Sequence, residues 1–68
     1  MKFMGKYKNH SVYLEKTSDP NRSLCKIINL DNNEAAHFEV DNSISVDNFN
    51  TLVESEFYKQ VETKQLGK

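Results

Sequence analysis

Cys25 and His37 are the residues of this 68-residue chain best suited to act as a nucleophile and its base. Thiol chemistry needs the imidazole within hydrogen-bond reach of the sulfur, about 2.6–3.2 Å. Both residues fall in apolar, β-forming stretches. Asp31, Asn32, Asn33 and Glu34 join those stretches and read as a hairpin turn, since Asn and Asp tolerate the left-handed backbone that tight turns require. Pairing about this turn sets Cys25 opposite Val40 and Ile28 opposite His37. The two groups are then offset by about three positions, roughly 10 Å along the strand. No hydrogen bond spans that gap, so Cys25 reads as a small buried hydrophobe.

Other chemistry is thinner still. His10 and Ser11 are adjacent, which in a strand sends them to opposite faces, and His10 suits a turn beside Asn9. Glu39 and Asp41 share a strand face but lack the spacing of a calcium loop. His10, Cys25 and His37 lack the spacing of a zinc site. Gly5 and Gly67 are the only glycines, too few for a phosphate-cradling loop. A domain of this size rarely encloses a ligand-sized pocket. The expectation is therefore no enzyme: no catalytic residue, no metal and no cofactor.

The elements that carry these residues follow from periodicity. Ser11, Tyr13 and Glu15 alternate with Val12 and Leu14, the period of a strand. Phe3 to Lys8 extends that strand or forms a short one before it, with Gly5 at a bend or bulge. Residues 17–23, around Asp19, Pro20 and Asn21, form a loop, because proline presets the turn backbone. Leu24 to Leu30 is a second strand, apolar on both faces and so central. Ala35 to Val40 is a third; Ala36, Phe38 and Val40 face one way, while Ala35, His37 and Glu39 face the other.

A helix then starts at Ser45 as N-cap, with Asp47 in its first turn, where a negative charge suits the helix dipole. Val46, Phe49, Leu52, Val53, Phe57 and Val61 recur at spacings of three and four and form its apolar stripe. Asp47, Asn50, Glu54 and Lys64 lie away from that stripe. The pattern predicts an α+β domain, a three-stranded antiparallel meander with one C-terminal amphipathic helix on one face, in the order β-β-β-α. It is a single domain over residues 1–68, with a core of about 3–62 and a frayed tail at 63–68.

So short a chain buries only about 60% of its unfolded surface. A lone cysteine excludes an internal disulfide and suits a reducing compartment, here the cytoplasm. No apolar run nears the roughly 20 residues of a bilayer span. The first eight residues carry lysines but no apolar stretch after them, so no signal peptide is expected. Residues with AT-rich codons (Phe, Tyr, Met, Ile, Asn, Lys) far outnumber those with GC-rich codons (Gly, Ala, Arg, Pro), as in a low-GC bacterium or its phage.

Charge is the most informative pattern. The net charge of −1 conceals +4 over residues 1–30, −7 over the base-free residues 31–56 and +2 over 57–68. The expected function is a small protein-interaction module, of the kind a phage or mobile element uses as an inhibitor or adaptor. Its partner would be basic and would meet Glu39, Asp41, Asp47, Glu54 and Glu56. Tyr13 and Ile27, on the sheet face away from the helix, and Tyr58 would supply apolar anchors. The plainer reading is that these acids are merely solvated or are paired with the basic N-terminal segment. Two alternatives belong to other classes. Lys2, Lys6 and Lys8 with Tyr7 and Tyr13 could form a nucleic-acid platform, although the acidic net charge opposes it. Self-association into a homodimer could complete the thin core.

Overall fold

The computed structural model describes residues 2–63. Four strands, not three, form one antiparallel sheet in the order β1 (Lys2–Tyr7), β2 (His10–Lys16), β3 (Arg22–Ile28) and β4 (Glu34–Asp41). A helix, α1 (Val46–Phe57), follows and lies on one face of the sheet. The fold is α+β as the patterning predicted, but the three-stranded meander is corrected by β1.

The cause is the turn at Lys8 and Asn9. Both have positive φ, 46° and 65°, between the paired residues Tyr7 and His10. Two such residues make the tight hairpin whose twist matches that of the strands. Lys8 is not a residue type that announces this turn. His10 Nδ1 donates to the Lys8 carbonyl (2.8 Å) and steadies it. On β1 the register shifts between Phe3 and Gly5, leaving Met4 as a bulge, and Gly5 takes φ 123°.

The second correction concerns the β3–β4 turn. The Asn29 side-chain oxygen accepts from the Asp31 and Asn33 amides, at 2.9 and 3.0 Å. The Asn29 amide in turn donates to the Asn33 carbonyl. This pulls the turn back to residues 29–33 and leaves Leu30 exposed rather than in a strand. Cys25 therefore pairs with Phe38 and Lys26 with His37, a register two residues from the predicted one.

One apolar layer results. Val12, Cys25, Ile27, Ala36, Phe38 and Val40 from the sheet meet Phe49, Val53 and Phe57 from α1. Ser45 caps the helix as predicted, its hydroxyl accepting from the Asn48 amide. Val46, at the start of the predicted stripe, is 75% exposed, and the buried row begins one turn later at Phe49.

Beyond Phe57 the helix widens into a π-helical turn, Tyr58–Glu62. Thr63, assigned by the sequence to the frayed tail, still bonds through its hydroxyl to the Tyr58 and Lys59 carbonyls. The rest of that tail lies outside the described residues. The wide turn presents Gln60 to β4. Its Nε2 donates to the His37 carbonyl (2.9 Å), and its Oε1 accepts from the His37 amide (3.3 Å). A side-chain amide thus stands where a neighbouring strand's peptide would, which blunts an edge strand. Gln60→Ala is expected to cost about 1–2 kcal/mol. The His37 amide should then exchange with solvent faster than its neighbours on β4. Unchanged exchange at His37 would show that the Gln60 plug does not protect the edge.

Candidate functional site

Alternation along the strands sorts the predicted residues by face. Cys25 is fully buried beside Leu14 and Phe38, its neighbours by register. His37, one pair along, points to the opposite face and is exposed. What separates them is therefore the sheet itself, not the strand offset expected from the sequence. His37 Nδ1 instead donates to Glu34 (2.8 Å). Burial pushes the Cys25 thiol up to about 11, so it remains a neutral thiol at ordinary pH. Among the described residues no group of three or more His, Cys, Asp or Glu is arranged to hold a metal ion.

Ile27 is fully buried in the core and cannot be an anchor on the outer face, which corrects that assignment. The register pairs it with Val12 and Ala36, both core residues, so its face follows theirs. Tyr13 does lie on the outer face, half-buried, with the Phe3 ring 5.5 Å away at 59°. The sequence alone does not place Phe3 on that face, because its face follows from the pairing of β1 with β2, Phe3 opposite Tyr13.

The five acids do not form one surface. Glu39 and Asp41 lie on the outer sheet face. Arg22 Nε bonds Glu39 at 3.1 Å. The Ser43 amide and hydroxyl both donate to Asp41 and hold its carboxyl below the usual range, with Arg22 adding a smaller pull. Glu56 is engaged on the flank of the helix, accepting from Gln60 and lying 3.8 Å from Lys59. Asp47 and Glu54 are exposed on α1 and make no ion pair among the described residues.

Those two belong together. Asp47, Thr51, Glu54 and Tyr58 follow at steps of four, three and four, which keeps them on one stripe of a helix. All four are exposed, and the stripe runs roughly 16 Å at 1.5 Å per residue. Phe57 is buried and Tyr58 is 54% exposed, as expected from adjacent rings on a helix. The stripe contains no basic residue.

The basic segment is divided as well. Tyr7 packs on the core side, its ring 5.2 Å from Phe57 in an edge-on contact. Lys8 bonds Glu62 at 3.1 Å, a contact that raises its pKa. Lys26 bonds Glu15 at 2.9 Å, which raises its pKa too, and lies 4.0 Å from Glu34. Lys2 and Lys6 are exposed on β1. A base-stacking platform needs Tyr7 and Tyr13 on one open face, and the sheet sets them on opposite faces.

No protein-family model matches the chain, and no curated protein or solved structure matches it. Among the described residues no helix is long and apolar enough to cross a membrane.

Proposed function

We propose that the protein is a small protein-interaction module that meets a basic partner through the exposed stripe of α1. The observation that carries this reading is the co-alignment of Asp47, Glu54 and Tyr58 on one helix face with no basic residue between them. Two unpaired carboxylates steer a cationic surface during approach. Tyr58 gives a rigid ring that buries area at low entropic cost. Glu39 and Asp41 are already engaged within the fold and sit on the other layer, so they contribute less to such a contact.

The roles of inhibitor and adaptor both fit a rigid helix face on a domain of this size. The test is binding to the partner recovered by affinity capture, followed by titration with variants. Asp47→Lys with Glu54→Lys is expected to slow association about ten-fold at low salt, and high salt should shrink the difference. Tyr58→Ala should raise the dissociation rate instead. If the doubly reversed variant binds that partner as the parent does at every salt concentration, the acidic stripe is not the interface.

A further inference from the structure

We propose that the open edge of β1 is a second docking site, for an extended acidic segment of a partner protein that adds to the sheet as a fifth strand. The sheet has two edges, and they are treated differently. Gln60 plugs β4 at His37, whereas among the described residues β1 pairs only with β2. An unpaired edge offers a row of amides and carbonyls to an incoming chain.

Beside that edge lies a groove of about 220 Å³ between β1 and α1. Met4, Gly5, Val12, Phe49 and Val53 supply its apolar lining. The space in front of Gly5 is empty: a Cβ built there would meet nothing within 4 Å. The bulge at Met4 and the missing side chain at Gly5 together keep this groove open along the edge. A strand added here would drop alternate side chains into it.

Charge selects the occupant. Lys2 and Lys6 are exposed on β1, neither is ion-paired among the described residues, and β1 carries no acid. By register Lys6 shares the outer face with Ser11, while Lys2, beyond the bulge, shares the helix side with Leu14. Acids on the outer face of the incoming strand would therefore meet Lys6 as a cross-strand pair, and Lys2 would add only its charge at the start of the edge. A second copy of β1 would bring two more lysines and no acid to the edge, which argues against self-pairing there. Glu54 stands on the helix wall of the groove, so the side chains entering it are apolar rather than acidic. The fitting ligand therefore alternates acidic and apolar residues. Lysines alone can guard an edge against aggregation, but a guard needs no groove beside it.

The probe is a set of four fluorescent eight-residue peptides, alternating Glu with Val, Leu, Phe or Met. Fluorescence anisotropy with the full chain at low salt measures binding. At least one peptide is expected to bind, with backbone amide shifts concentrated on residues 2–7. Lys2→Glu with Lys6→Glu should weaken it at least ten-fold, N-methylation of alternate peptide amides should abolish it, and Lys-for-Glu peptides should not bind. The proposal is overturned if no member of the set binds, if the double variant or the N-methylated peptide binds unchanged, or if the amide shifts fall elsewhere. Sedimentation that shows a dimer joined through β1, or an edge that opens only on removal of residues 64–68, would also overturn it by assigning the edge to another occupant.

Discussion

Phe57→Ala is expected to leave a large part of the protein unfolded at room temperature. Phe57 is 3% exposed at the end of α1, where its ring meets Tyr7 at 5.2 Å and His10 at 4.8 Å, both nearly perpendicular. It thus joins the helix to the β1–β2 hairpin as well as to the central core. Deleting a buried phenylalanine ring costs about 3–5 kcal/mol, part of it from the cavity left behind. A domain of this length has a total stability of only about 3–10 kcal/mol. The melting temperature should fall on the order of 20 °C. Val46→Ala, on the same helix but exposed, should cost less than about 0.5 kcal/mol. Urea titration of both variants checks the contrast. Equal midpoints would mean that the helix is not docked through Phe57.

Cys25 should be almost inert to thiol reagents in the native state. The side chain has no exposure, and its thiol is raised from about 9 to about 11 by burial. Only the thiolate reacts, and the reagent reaches it only when the core opens. Labelling by an aromatic disulfide at pH 8 should be slower than in denaturant by a factor on the order of 10³, set by the opening equilibrium. The pH dependence has a definite sign. The folded thiol holds its proton more tightly than the unfolded one, so its contribution is complete below about pH 9 and is lost as pH rises to about 11. The loss amounts to about 2–3 kcal/mol at most, from roughly two pKa units. Cys25→Ala should remove that part of the alkaline decline. Labelling at the rate of a free thiol would contradict the burial.

The helix was legible because its signals are local. Ser45, Asp47 and the apolar spacing all act within a few residues of the sites they specify. The facing of β4 was legible for the same reason, since Ala36, Phe38 and Val40 alternate plainly. The β3 facing was not: with apolar residues on both sides, nothing local says whether Ile27 or Ile28 meets the helix. That decision comes from pairing with Val12 and Ala36. The register of β3 and β4 was misplaced by two because one side chain, Asn29, captures two amides and moves the turn. The fourth strand was missed because Lys8 occupies a positive-φ position normally signalled by glycine or asparagine.

The candidate surfaces follow the same division. Exposure of Tyr58 and its alignment with Asp47 and Glu54 could be read from helical spacing alone. The retirement of Glu39 could not, because Arg22 lies 17 residues from Glu39 and meets it only across the sheet. The plug at β4 was equally hidden, since Gln60 is 23 residues from His37 and reaches it only through a π-helical turn.

By itself, then, the sequence determined the α+β order, the helix with its cap, and the segregation of charge along the chain, all properties of neighbours within a turn or a strand. Tertiary structure alone decided the fourth strand, the face that holds Cys25 and Ile27, the scattering of the acids over two layers, and the contrast between a plugged edge at β4 and an open one at β1. Those depend on which distant segments pair, and pairing is fixed by the whole sheet and helix packing together.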